Sequence, residues 1–99
     1  MLKEITPEEL INKSPQKIQI IDTREPYELV DGYILGNTNI PMGDILDKKD
    51  QLSKSKDIII YCNTGRRSKP VVYMTYKLHN IILYNLKNGY KNFLKISAK

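Results

Sequence analysis

Apolar residues along the chain fall into two patterns, short continuous runs and helically spaced positions. The run from Asp57 to Tyr61, leading into Cys62, is continuous and rich in β-branched residues. That pattern is typical of a strand buried on both faces of a parallel sheet. Similar runs predict strands over residues 17–22 and 81–84, with a very short strand just before Pro41.

Helix signals separate these strands. Thr6-Pro7-Glu8-Glu9 carries a capping box with proline at the first helical position, which predicts a short helix. A second short helix is expected between Glu25-Pro26 and Gly32, and one or two helical turns over residues 42–54. A long helix is expected to be capped by Ser68, and a last helix follows Gly89. Strands that alternate with helices predict an α/β fold around a mostly parallel central sheet.

The chain has 99 residues, which predicts a single domain over residues 1–99. No window is apolar enough over the roughly 18 residues that a membrane span needs, and the start, Met1–Ile5, lacks the apolar segment of a secretory signal. We therefore expect a cytoplasmic monomer without membrane contact, although a trimmed mature form stays open. The net charge of +5 comes with scattered lysines and no stacking aromatics between them, so we expect no nucleic-acid partner.

The chemistry of the sequence centres on its one cysteine, which cannot form an internal disulfide. Cys62 ends the clearest strand, and residues 62–68, here named the cysteine loop, lead into the long helix: Cys62, Asn63, Thr64, Gly65, Arg66, Arg67 and Ser68. A helix start attracts negative charge, a tight loop turns its N–H groups inward, and two arginines add positive charge. Gly65 allows the positive φ that such a cradle needs. This combination favours a reactive thiolate in an anion-binding loop over a buried, inert cysteine.

Two charged residues, Asp22 and Arg24, follow the strand over residues 17–22. We interpret them as supporting residues, a structural ion pair or a turn bracket near the site, in preference to direct chemistry. The lone histidine, His79, falls near the end of the long helix, where it suits the helix C-terminus better than a Cys-His pair. No cluster of histidine, cysteine and carboxylate residues has the spacing of a metal site. We therefore expect no metal and no cofactor.

Several segments resemble the single-domain rhodaneses. Tyr61-Cys62-Asn63-Thr64-Gly65-Arg66-Arg67-Ser68 is similar to the active-site loop of that family, and residues 22–34 are similar to its Asp-x-Arg-Glu signature that runs to Gly-His-Ile. Residues 35–41 resemble its Gly-Ala-x-Asn-Ile-Pro, and residues 86–89 its Gly-Gly turn. Tyr33, Asn37 and Asn88 depart from the usual histidine, alanine and first glycine. The resemblance implies a rhodanese-like α/β domain with a five-stranded, mostly parallel sheet and helices on both faces.

The resemblance also implies a double-displacement sulfurtransferase. In that reaction Cys62 attacks a small anionic sulfur donor such as thiosulfate, forms a persulfide, and passes the sulfur to cyanide, a thiol or a protein cysteine. The loop N–H groups would hold the negative charge of the persulfide, and Arg66 and Arg67 would orient the donor. The physiological donor and acceptor cannot be read from the sequence.

Two other functions stay open. A persulfide carrier or interaction module with little thiosulfate turnover would share the same loop and fold. A cysteine phosphatase or arsenate reductase would need a Cys-x5-Arg loop, but Ser68 stands at that position and Arg67 gives the shorter Cys-x4-Arg. The sequence therefore favours the thiosulfate sulfurtransferase, with the carrier as the main alternative.

Overall fold

The computed structural model describes residues 2–45, 47–70, 72–73 and 83–97. Its strands form one five-stranded sheet in the order β1-β5-β4-β2-β3, and every neighbouring pair is parallel. The strands are β1 (Leu2–Ile5), β2 (Ile18–Asp22), β3 (Asn37–Asn39), β4 (Asp57–Tyr61) and β5 (Leu83–Leu86). The expected five-stranded parallel sheet is therefore confirmed, and β4, the strand that delivers Cys62, is its central strand.

Helices of several lengths connect the strands. They are α1 (Pro7–Ile11), α2, of which residues 68–70 and 72–73 are described, and α3 (Gly89–Ser97), with short 3-10 helices over Pro15–Lys17, Pro26–Asp31, Met42–Asp44 and Lys49–Gln51. The predicted capping box of α1 is present, since Glu9 N–H donates to Thr6 Oγ1 and Thr6 N–H donates to Glu9 Oε1. The rest of the predicted long helix, His79 included, lies outside the described residues.

The core has two halves, one on each face of the sheet. Along β4, Ile58 and Ile60 pack on one face with Val72 of α2, whereas Ile59 and Tyr61 pack on the other face with Tyr90 of α3. These four of the five β4 side chains are completely buried. Burial on both faces is the reason for the continuous apolar run in the sequence.

The carboxyl ends of the parallel strands meet at one edge of the sheet, the usual place for ligands in α/β folds. Asp22 ends β2, Cys62 follows β4, and Asn85 lies near the end of β5. Because β4 pairs with both β2 and β5, this edge brings three segments of the chain together around the cysteine.

None of the helices in the described part of the chain has the length and apolar content needed to cross a bilayer.

Candidate active site

The cysteine loop holds the sulfur of Cys62 beneath its own backbone. The backbone N–H groups of Gly65 and Ser68 donate to Cys62 Sγ over 3.1 and 3.4 Å. Gly65 has φ +85°, so the turn uses the left-handed conformation that the sequence predicted for this glycine. The sulfur therefore faces two hydrogen-bond donors, which is the arrangement that stabilises negative charge on it.

Ser68 has a different position from the one expected. It is the first helical residue of α2 and not the residue before it, and its side chain is completely buried. Its Oγ lies 3.3 Å from Cys62 Sγ, and its hydroxyl also donates to Asn85 Oδ1. The structure differs from the expected cap because Ser68 stands inside the first turn of α2, and its hydroxyl is hydrogen-bonded to Cys62, Gly65 and Asn85 among the described residues.

Asp22 and Arg24 form a buried ion pair behind the loop, with Arg24 Nη2 2.7 Å from Asp22 Oδ2. Arg24 also donates to Asn63 Oδ1 and to the carbonyl of Gly32. Burial lowers the pKa of Arg24, but hydrogen bonds and charge from Asp22 outweigh that effect, so the pKa is raised overall. The pair holds the loop through Asn63, and no hydrogen bond joins Arg24 to the sulfur of Cys62.

The two loop arginines differ in their surroundings. Arg67 makes a bidentate ion pair with Glu28, Nη1 to Oε2 at 3.1 Å and Nη2 to Oε1 at 2.7 Å. The hydrogen bonds from Arg67 lower the pKa of Glu28 against the opposing effect of burial, and the same pairing raises the pKa of Arg67. Arg66 is exposed and has no hydrogen bond or ion pair among the described residues. Of these two arginines, only Arg66 would meet an anion without giving up a partner among the described residues.

The turn before α3 fastens the backbone of the cysteine loop. Tyr90 N–H donates to the carbonyl of Cys62 over 2.8 Å, and Lys91 N–H donates to that of Asn63 over 3.0 Å. These are N–H groups of the first turn of α3, which have no acceptor within their own helix. A β-carbon on Gly89 would lie 2.5 Å from the carbonyl oxygens of Cys62 and Asn63, so the contact requires glycine.

The sulfur itself is covered. Cys62 is completely buried, and the open groove beside the loop is lined by neighbouring residues: Arg24, Tyr27, Glu28, Asp31, Asn63, Tyr90, Lys91 and Leu94. Thr64 and Arg66 are exposed on the outer side of the loop. A reagent in the groove therefore meets Asn63 before it meets the sulfur.

Three residues of the site were not singled out as site residues in the sequence: Glu28, Asn85 and Gly89. Glu28 and Asn85 lie far from Cys62 along the chain and reach it only through the fold. Asn85 did carry a signal, since an asparagine is unusual inside an otherwise apolar strand. Among the described residues, no group of three or more histidine, cysteine or carboxylate side chains could hold a metal ion.

Comparison with known proteins identifies the family. The sequence model of the family described as "Rhodanese-like domain" matches residues 6–96. The chain belongs to the rhodanese-like domain family. The uncharacterized protein YqhL of Bacillus subtilis is 36% identical over 100 residues, which cover 100% of this chain and 79% of YqhL. A sulfurtransferase of Allochromatium vinosum is 29% identical over 92 residues, covering 90% of this chain and 85% of that protein.

A solved structure agrees with this rhodanese-like fold. The rhodanese-related protein of Thermoplasma volcanium superposes with a TM-score of 0.87 at 24% identity, over 95% of this chain and 92% of that one. The resemblance drawn from the sequence motifs is thereby confirmed for the family and for the fold.

Two departures from the rhodanese pattern are accommodated in this rhodanese-like domain. Asn88 adopts φ +59°, and asparagine is one of the few residues other than glycine that tolerates this conformation. Asn37 donates from Nδ2 to the hydroxyl of Tyr61, which also accepts from the N–H of Ile34. Burial is the main cause that raises the pKa of Tyr61, so the phenol stays neutral and serves as an internal acceptor.

Proposed function

We propose that this rhodanese-like domain is a sulfurtransferase that moves sulfane sulfur from thiosulfate, or a similar anionic donor, to a thiophilic acceptor through a persulfide on Cys62. The observation that supports the proposal most directly is the pair of N–H groups, from Gly65 and Ser68, that donate to Cys62 Sγ. Hydrogen bonds to an anion favour the charged form of a group over its neutral form. The loop is therefore built to hold a thiolate, or the inner sulfur of a persulfide.

The reaction proceeds in two displacements. The Cys62 thiol first gives its proton to water, and the thiolate then forms a bond with the outer sulfur of thiosulfate. The S–S bond of the donor breaks and sulfite leaves with the bonding electrons, so Cys62 becomes a persulfide anion. In the second step cyanide, a small thiolate or the cysteine of a partner protein takes the outer sulfur, and the Cys62 thiolate is regenerated.

Entry of the donor requires the loop to move, because Cys62 is completely buried in this conformation. Exposed Arg66 gives the donor its first attractive charge. Arg67 is neutralised by Glu28, so it joins the donor only when the anion replaces the Glu28 carboxylate. Arg24 and Asp22 keep the base of the loop in place while the outer part opens.

The test is mass spectrometry of the intact protein after incubation with thiosulfate. We expect a mass increase of one sulfur atom, removal of that sulfur by added cyanide, and neither effect in the nearly isosteric Cys62→Ser variant. Undiminished sulfur transfer in Cys62→Ser would rule out Cys62 as the nucleophile.

Two other outcomes would change the conclusion. A persulfide that forms with a protein donor but not with thiosulfate would make the domain a sulfur carrier. Turnover of an aryl phosphate, without any sulfur transfer, would favour a phosphatase instead.

A further inference from the structure

Three side chains form a buried row that runs from the cysteine loop to β5: Cys62, Ser68 and Asn85. Cys62 and Ser68 are 0% exposed and Asn85 is 2% exposed. Ser68 Oγ lies between the other two, 3.3 Å from Cys62 Sγ and in a close hydrogen bond with Asn85 Oδ1. Because they are shielded from water, the direction of each hydrogen bond in this row is set by the partners themselves.

The hydroxyl of Ser68 has one proton and three neighbours that accept it. The oxygen Asn85 Oδ1 only accepts, and so does the carbonyl of Gly65, 3.3 Å from Ser68 Oγ. While the hydroxyl donates to Asn85 it cannot also donate to the sulfur. The hydrogen bond between Cys62 and Ser68 then requires the S–H of a protonated thiol as its donor. The conformation therefore matches a neutral thiol at Cys62.

A thiolate or a persulfide has no proton on the inner sulfur, so it needs the opposite arrangement. Rotation of the Asn85 amide by half a turn places Nδ2 against Ser68 Oγ, and the amide then donates to the serine. The Ser68 hydroxyl then no longer donates to Asn85, so it rotates and donates to Cys62 Sγ. The row keeps both of its hydrogen bonds, but with each donor and acceptor exchanged.

The surroundings of Asn85 keep the free-energy cost of this amide rotation low. Asn85 Nδ2 is buried and has no hydrogen-bond partner in the described part of the chain. Buried polar groups without partners are rare and call for an explanation. The rotation breaks no hydrogen bond of Nδ2, and it moves the unpaired position from Nδ2 to Oδ1. One unpaired atom is present in each orientation, so neither orientation is excluded by desolvation.

We propose that Asn85 is a positioning residue whose amide orientation directs the Ser68 hydroxyl, away from Cys62 in the thiol and toward its sulfur in the thiolate and persulfide. The role in the persulfide rests on the proposed function, whereas the role in the thiol and thiolate does not. Asn85 thereby competes with the sulfur for the serine proton at rest, and it supports the charged sulfur after the rotation.

The first measurement is the rate of Cys62 alkylation by iodoacetamide, which needs no sulfur donor. Asn85→Leu removes the amide that donates to Ser68 Oγ in the thiolate, whereas in the thiol the hydroxyl still has the Gly65 carbonyl as an acceptor. We therefore expect alkylation to become roughly two- to tenfold slower, the range that one net hydrogen bond spans. Ser68→Ala should slow the reaction, and Asn85→Leu should have no further effect in the Ser68→Ala background. The control Asn12→Leu places the same substitution on an exposed surface position, and the rate should not change.

A merely structural role for Asn85 predicts a different result. Asn85→Leu would then change the alkylation rate by the same factor with and without Ser68, or would slow it in both backgrounds. Either result would overturn the proposal.

The second measurement uses the wild-type protein, so it does not depend on whether Asn85→Leu folds. Nitrogen-15 NMR of the Asn85 side-chain amide is recorded for the reduced protein at two pH values, below and above the titration of the thiol, and again after thiosulfate. We expect one amide proton to move downfield on thiolate formation, because Nδ2 gains an acceptor, and to stay there in the persulfide. An amide signal unchanged by thiolate formation would overturn the proposal. If thiosulfate yields no persulfide while the thiolate still shifts the signal, the proposed function fails and the role of Asn85 stands.

Discussion

Replacement of Gly89 by alanine tests how firmly the α3 turn holds the cysteine loop. Gly89 has φ +68°, and an added β-carbon would lie 2.5 Å from the backbone of Cys62 and Asn63. Those atoms belong to the loop itself and not to a flexible side chain, so the turn and the loop must separate. Separation breaks the hydrogen bonds from Tyr90 and Lys91 to the two carbonyls.

The structure supplies the size of the effect and a matched control. A left-handed backbone costs an L-residue about 1–2 kcal/mol, and each lost hydrogen bond adds about 0.5–1.5 kcal/mol, so Gly89→Ala should lower the free energy of unfolding by about 2–5 kcal/mol. Gly36 has φ +86° with nothing within 4 Å of an added β-carbon, so Gly36→Ala carries the conformational cost alone. Gly65, with φ +85° and a contact of 3.2 Å to Asn88 N, should fall between the two.

Urea unfolding followed by circular dichroism measures the three variants, and iodoacetamide alkylation reports on the loop. We expect the order Gly36→Ala, Gly65→Ala, Gly89→Ala in loss of stability, with faster alkylation of Cys62 in Gly89→Ala. Loss of stability in Gly89→Ala that matches Gly36→Ala to within about 0.5 kcal/mol, less than one net hydrogen bond, would refute the argument, because the contact with the loop would then contribute nothing.

The remaining predictions concern two partners of the site. Glu28→Gln should lower the unfolding free energy by at most about 1 kcal/mol near neutral pH, because the pair with Arg67 is partly exposed. Since the folded-state pKa of Glu28 is lowered, this stabilisation is complete above the ordinary glutamate pKa and is lost as the pH falls through the lowered value. Urea unfolding of wild type and Glu28→Gln, at one pH above the ordinary glutamate pKa and one below the lowered pKa, measures this loss. A stability difference between the two proteins that persists at the acidic pH would contradict the pairing. Tyr61→Phe removes the acceptor for Ile34 N–H and the Asn37 amide, so it should cost about 1–3 kcal/mol by the same assay; an unchanged midpoint would show that these donors find other partners.

Local signals predicted most of the framework. The continuous run of β4, the capping box of α1 and the glycine at position 65 each act within a few residues, so the sequence alone shows them. The strand β1 was not predicted, because its four residues are too short to show a period. It exists because it pairs in parallel with β5, more than 80 residues away along the chain.

Long-range partners of the site could not be predicted for the same reason. From the sequence, Arg67 is expected to be a cation available to an anionic sulfur donor, and only the fold places Glu28 in an ion pair with it. Ser68 reads as a helix cap, since serine before a helix usually has that role. Its hydroxyl turns inward because the neighbouring strand β5 places Asn85 within reach.

The buried guanidinium of Arg24 also bears on how quickly the site can open. Its contacts reach the end of β2 through Asp22, the end of the adjacent 3-10 helix through Gly32, the cysteine loop through Asn63, and α3 through the ring of Tyr90, 4.6 Å away. A single planar group thus joins four segments of the fold, two of which, at Asn63 and Tyr90, are distant from Arg24 along the chain. Because Arg24 holds these segments together, we expect the motion that exposes the sulfur to be confined to the outer part of the cysteine loop, and loop motions of that kind occur on nanosecond to microsecond timescales.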